Sequence, residues 1–330
     1  MKRLAYLGAL GGLLLLTALV VLQGWPAILA AFAHAGWPLL WVVPARLLTL
    51  LLDTRAWRQL LDPFDPGRAA GPLFLLWVGS VREAVNRLLP VAGIGGEVVG
   101  VRLARLRIPD GTALAASVIV EVLLTIAVVY LFCGLGVVLM ARLAAGAGQV
   151  WIVATALLLS LPLPLLAWWL LRHGTPFRTL EAWALRLLGP RNSVALHLDG
   201  ARLDACVQQL FRERARLARA AGLVLLSYLL GTFETWYALR LLGHPVDLPT
   251  ALAIEALTQA TRHASFLVPA GLGVQEAAVL LFGHLAGVGG DVALSLALVK
   301  RMRELLLGVP ALLSWQWLEF KASRYARPGT

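Results

Sequence analysis

The side chains of this chain best suited to chemistry are charges set inside strongly apolar segments. In "LFLLWVGSVREAVNRLLPVAGIGGEVVG" (73–100) an apolar start gives way to Arg82, Glu83, Asn86, Arg87 and Glu97. In "FLVPAGLGVQEAAVLLFG" (266–283) Glu276 follows a proline and two spaced glycines. "VKRMRE" (299–304) carries Lys300, Arg301, Arg303 and Glu304 into a long apolar stretch, and Glu121, Glu234 and Glu255 stand isolated in theirs. A charge at the centre of a membrane helix costs roughly 2.5–3.5 kcal/mol on insertion scales, so such residues are kept where they pair or face a polar cavity.

The spacing offers some pairing within helices. Arg82 and Asn86 are four apart and share a face, Glu83 and Arg87 form a second such pair, and Arg301 and Glu304 are three apart. Arg82, Arg87, Lys300, Arg301 and Arg303 outnumber the adjacent acids Glu83 and Glu304. That surplus calls for an anionic partner, which in a membrane is a phospholipid headgroup. The lipid-binding candidates are therefore Arg82, Asn86, Arg87, Glu97, Glu276, Lys300, Arg301 and Arg303. Glu97 and Glu276 have a second reading, as acids that cap the positive ends of half-helices.

The elements that must position these groups are membrane helices. Of 330 residues, 59% are hydrophobic and 14% charged, which excludes a soluble domain of this size. Apolar runs at 4–23 and 112–140 exceed the ~20 residues that span a bilayer. The net charge of +11 would suggest nucleic acid in a soluble protein. Here the arginines flank apolar runs, which fits the positive-inside rule, and no nucleic-acid partner is expected. Spans are expected at 4–23, 37–52, 112–140, 150–171 with a kink at "LPLP", and 220–242. A charged loop with Arg55, Arg58 and Arg68 should follow the second span. A final helical region covers 291–319, and "CVQQLFRERARLARA" (206–220) reads as an amphipathic helix on the membrane surface.

Two segments break this pattern, 73–107 and 251–285, and both read as re-entrant hairpins. "LLPVAGIGGEVVG" and "LVPAGLGVQEAAV" each hold a proline, two glycines two apart and an acid seven residues after the proline. Pro90, Gly93 and Gly95 would shape the first hairpin, and Pro269, Gly271 and Gly273 the second. Arginine bias opens the first toward the cytoplasm and the second outward. Paired interrupted segments in oppositely oriented halves point to a transporter site near the midplane. The expected fold is an all-α integral membrane protein with two inverted halves, 1–171 and 219–330, joined by a basic cytoplasmic linker at 172–218. Both termini are placed in the cytoplasm.

Little points to catalysis. Cys133 and Cys206 give no disulfide framework, and the six histidines lack metal-ligand spacing. No nucleophile elbow, P-loop or nucleotide fingerprint occurs. No metal, cofactor or enzymatic activity is expected.

"NRLLPVAGIGGE" and "VPAGLGVQE" resemble the paired signatures of the lysylphosphatidylglycerol synthase transmembrane family, the flippase-like membrane proteins. The resemblance covers most of the chain. Arg82, Asn86, Pro90, Gly93 and Gly95 match in the first signature, and Pro269, Gly271, Gly273 and Glu276 in the second. Val122 follows Glu121 where the family usually has arginine, which leaves Glu121 without its expected partner. The resemblance implies a multi-pass protein of the bacterial inner membrane that moves a lipid, without the separate aminoacyl-transfer domain. It also suggests the subgroup associated with hopanoid synthesis. The expected partner is an anionic phospholipid or a hopanoid-type lipid, with lipid-biosynthesis or export proteins as possible associates. A membrane scaffold for lipid-modifying enzymes is the competing reading.

Overall fold

The computed structural model describes residues 33, 35–89, 91, 95–143, 148–188, 199–265, 268 and 273–325. The expected first span lies outside them, as do the hairpin residues Pro90, Gly93, Pro269 and Gly271. Among the described residues every regular element is helical. Gly36, at φ 62°, leads into a 3-10 turn over Trp37–Trp41, which runs on into α1 (Val42–Leu61). The helices α2 (Pro72–Leu88) and α3 (Gly95–Ala104) form a first hairpin, followed by the long α4 (Gly111–Leu143). Then come α5 (Gly148–Ser160), α6 (Pro162–His173), α7 (Pro176–Leu188) and α8 (Gly200–Arg212). The last four are α9 (Arg214–Leu241), the hairpin α10 (Leu248–Ala264) and α11 (Val274–Leu285), and α12 (Gly290–Tyr325).

Four helical stretches are long and apolar enough to cross a membrane: Trp37–Leu61, Gly111–Leu143, Trp151–His173 and Arg214–Leu241. They correspond to four of the expected spans. α12 is the longest of the described helices, at 36 residues and about 54 Å. Its charged first half keeps it out of that set, although much of that face is buried. The expected kink at "LPLP" is present as a break between α5 and α6. Pro162 opens α6, where its missing N–H costs nothing.

Two boundaries differ from those expected. Arg55 and Arg58 belong to α1 and not to the loop that follows, because the helix runs on to Leu61. "CVQQLFRERARLARA" is not one helix. Glu213 leaves helical geometry (φ −86°, ψ 66°), and Arg214 begins the 28-residue α9. The amphipathic pattern of 206–220 arises from two helices that meet at that residue.

The packing repeats itself. α1 and α9 lie along each other, and each precedes a hairpin and then a long helix. The arms of each hairpin pack together, and the second arm also packs on the long helix that follows it. The first arm crosses to the other unit: α2 packs on α12, and α10 on α4. Glycine permits both crossings. A Cβ at Gly136 of α4 would lie 2.6 Å from the Ala256 Cβ, and one at Gly308 of α12 would lie 2.6 Å from Leu88. Small residues that let helix backbones approach are the usual means of association in lipid.

The remaining helices lie to one side. None of the apolar window of Trp151–His173 is buried, so α5 and α6 turn most of their surface outward. α8 packs on α4 and α7. Its Asp204 accepts hydrogen bonds from the backbone N–H groups of Phe177 (3.2 Å) and Arg178 (2.9 Å), which satisfies the start of α7.

Candidate functional site

The charged candidates converge where the two hairpins meet α1, α4, α9 and α12. The first cluster forms around Arg82 of α2. Its guanidinium donates to Glu97 of α3 and to Glu121 of α4, the latter at 2.8 Å, and lies 4.7 Å above the Trp57 ring. Asn86, one turn on, accepts a bond from the Gly96 N–H at 2.8 Å and donates to Glu97 at 3.3 Å. Asn86 thereby caps α3, whose first N–H groups lack helical partners. The glycines of "GGEVVG" follow from this contact. A Cβ at Gly96 would lie 2.3 Å from the Arg82 carbonyl oxygen, and one at Gly100 would lie 2.4 Å from the Arg82 Cδ.

The second cluster is larger. Arg301 of α12 donates to Glu276 of α11 at 2.9 Å and to Glu304 on its own helix at 2.9 Å. Glu304 also meets Arg87 of α2 (3.3 Å) and Arg262 of α10 (3.8 Å). Arg87 approaches Glu83 at 3.5 Å, and Glu83 accepts from Arg46 of α1. A chain of ion pairs thus links α1, α2, α10, α11 and α12. Two further pairs pin α12 to its neighbours: Lys300 with Glu255 of α10, and Arg303 with Glu234 of α9. Thr235 and Gln259 also donate to Glu255.

Glu97 and Glu276 occupy equivalent places. Each is the third residue of a hairpin's second arm, and each is held by an arginine from another helix. Gly273 precedes α11 at φ 76°, a left-handed conformation that glycine adopts without strain. A Cβ at Gly95 would lie 2.4 Å from that of Val91.

The charge inventory corrects one expectation. Arg82, Arg87, Lys300, Arg301 and Arg303 do not form a surplus awaiting an outside anion. With Arg46 and Arg262 they are matched in number by Glu83, Glu97, Glu121, Glu234, Glu255, Glu276 and Glu304. The half-buried Asp53 on α1 adds one acid nearby. The acids come from elements distant in sequence, so a count along single helices missed them. Glu121 is likewise not left without a partner, since Arg82 takes the place of the absent neighbouring arginine.

Arg46 was not among the candidates, although it gave the same signal as the others, a charge inside an apolar span. It lines a pocket of about 40 Å³ with Glu83, Arg87, Arg303, Glu304 and Leu307. That volume holds about three waters. The Nε groups of Arg46 and Arg303 are buried without a hydrogen-bond partner among the described residues, as is one carboxylate oxygen of Glu276. Buried donors without partners, on arginines that line a small pocket between two packed units, are features expected of a binding site.

The model of the lysylphosphatidylglycerol synthase TM region matches residues 9–311. The chain belongs to this family. No curated protein and no solved structure matches it. Membership in the lysylphosphatidylglycerol synthase TM family agrees with the all-α, multi-pass architecture and gives the chain a membrane, lipid-related role. The family match spans both hairpins and every ion pair of the two clusters.

Proposed function

We propose that the chain moves a polar membrane lipid between leaflets, with the headgroup passing beside the first hairpin at the pocket of Arg46, Glu83, Arg87, Arg303 and Glu304. The observation that carries this reading is the pocket itself. It sets five charged side chains among apolar ones, it lies where α1, α2 and α12 meet, and the Nε groups of two of its arginines lack partners among the described residues. The matched arginines and glutamates support a headgroup of both signs, or a neutral polyol such as a hopanoid-type lipid can carry. A simple anion would have to displace Glu83 or Glu304 from its arginines. The role is read as non-enzymatic, with two inverted halves, 1–171 and 219–330, in a bacterial inner membrane and both termini in the cytoplasm. The arginine bias of the loops supports that orientation.

Reconstitution tests it. Vesicles holding the intact protein should equilibrate a fluorescent lipid between leaflets faster than protein-free vesicles. Arg46→Lys and Arg303→Lys, which keep the charge and lose the guanidinium fork, should slow this several-fold while the melting temperature stays within a few degrees. Equal rates with and without protein would remove the reading.

A second reading is favoured by one specific observation, the equal number of ion-paired arginine or lysine and glutamate side chains in the clusters. That pattern suits a static scaffold for lipid-modifying enzymes. A scaffold would retain its protein partners in Glu276→Ala and Arg301→Ala variants and show no lipid movement.

A further inference from the structure

A second pocket lies apart from the buried clusters, at the ends of two spans. It is formed by Arg172 and His173 at the end of α6, by Gln208 and Arg212 of α8, and by Arg214 at the start of α9. Its volume is about 290 Å³, several times that of the pocket lined by α1, α2 and α12. Phe211 forms part of its wall and is held edge-to-face by Trp168 at 4.9 Å. Gln208 donates to the Gly174 carbonyl at 2.8 Å, which ties α8 to the end of α6.

Its charge differs in kind from that of the hairpin clusters. All eighteen Asp and Glu residues of the chain are described, and none pairs with Arg172, Arg212 or Arg214. Glu213, between two of them in sequence, is taken by Arg216 at 2.6 Å. Three exposed arginines thus line one pocket that no carboxylate lines. Helix dipoles account for some of them. Arg172, His173 and Arg212 sit at helix C-termini, where positive charge is favoured. Arg214 is the first residue of α9, at the positive end of a dipole, where a cation is disfavoured without an anion nearby.

The place of the pocket identifies the anion. Trp151–His173 and Arg214–Leu241 are both candidate spans, and the pocket lies at the last residues of one and the first of the other. Where these helices cross a bilayer, the pocket falls at its boundary, at headgroup depth. Trp169 of α6 is exposed and packs against His173 of the pocket at 5.9 Å, the kind of aromatic surface that suits this zone. Arginine offers a planar fork that meets phosphate bidentately.

We propose that this pocket holds the phosphoryl group of an anionic membrane lipid, at a site separate from the Arg46 pocket.

Native mass spectrometry of the full chain, released from bilayers of phosphatidylcholine containing phosphatidylglycerol, tests it. The unmodified protein should retain phosphatidylglycerol in preference. The triple variant Arg172→Gln/Arg212→Gln/Arg214→Gln should lower that preference about tenfold or more, since each near-surface arginine contributes measurably to anionic-lipid attraction. A control replacing Arg55, Arg142 and Arg240, exposed arginines outside the pocket, should leave it unchanged. All the replaced residues are exposed, and equal melting temperatures would confirm intact folding. Absence of any preference in the unmodified protein, or equal losses in pocket and control variants, overturns the proposal. Displacement of the lipid by millimolar inorganic phosphate identifies a free-anion site and also overturns it. If Arg46→Gln removes the preference and the triple variant keeps it, the lipid sits in the Arg46 pocket and the proposal is overturned. Leaflet exchange in the triple variant reports separately on the role proposed for the Arg46 pocket.

Discussion

Arg82 of α2 and Glu121 of α4, thirty-nine residues apart, are joined at 2.8 Å across the packing of the first hairpin. This bond ties a hairpin arm to the long helix beyond it, and the same guanidinium holds Glu97. Removing one partner of a buried pair leaves an uncompensated charge, at a cost of about 3–5 kcal/mol. Arg82→Met should therefore lose about that much stability. Glu121→Gln should lose less, because Glu97 still neutralises the arginine. Thermal unfolding in detergent checks both, and equal losses would show that Glu97 does not share the load.

The pairs Lys300–Glu255 and Arg303–Glu234 fix α12 to α10 and α9. Each should show coupling in a double-mutant cycle, by at least about 1 kcal/mol. The reversed pair Lys300→Glu/Glu255→Lys should be more stable than either single variant. Stabilities that simply add would mean that the two sites do not interact.

Gly136 marks the crossing of α4 and α10, where a Cβ would come within 2.6 Å of that of Ala256. Gly136→Ala should force the helices apart and cost about 1–3 kcal/mol. Gly134, two residues earlier, has open space for a side chain. Gly134→Ala should be neutral or slightly stabilising, since alanine is the better helix former. A comparison of the two melting temperatures decides whether close approach or helix propensity governs this segment.

Asp65 lies in the loop after α1, outside the spans. Burial would raise its pKa. The bond from Arg58 (2.7 Å) and the N–H groups of Ala69 (2.9 Å) and Ala70 (3.2 Å) outweigh that and hold it below the usual carboxylate range. A lowered folded-state pKa contributes stability above the unfolded value near 3.9, and that stability is lost as pH falls through the folded value. Asp65→Asn should cost about 1–3 kcal/mol at neutral pH. The difference from the unmodified protein should shrink below about pH 4. A difference that is constant with pH would show that the carboxylate charge is not what matters.

Much of the fold was legible because its signals are local. The two interrupted segments were marked by proline, glycine and an acid at matching offsets, and both are helical hairpins with that acid in the same place. The break at Leu161 followed from the prolines around it. Boundaries were less legible where a helix continued past a charge, as at Arg55 and Arg58, or where two helices shared one amphipathic pattern, as at Glu213. Arg46 was overlooked because a single arginine in a leucine-rich run does not interrupt the hydropathy of its span.

The sequence by itself determined the membrane class, the order of spans and hairpins, and nearly all the residues of the charged clusters. Hydropathy, helix breakers and intramembrane charge are properties of short segments, and short segments carry them without reference to the rest of the chain. Only the tertiary structure decided which charges cancel. Arg87 meets Glu304 across 217 residues, and Arg303 meets Glu234 across 69. Coulomb energy depends on distance in space, which packing sets. The same packing turned an expected excess of buried cations into matched pairs, and left three arginines around one pocket at the ends of two candidate spans without an acid paired to them.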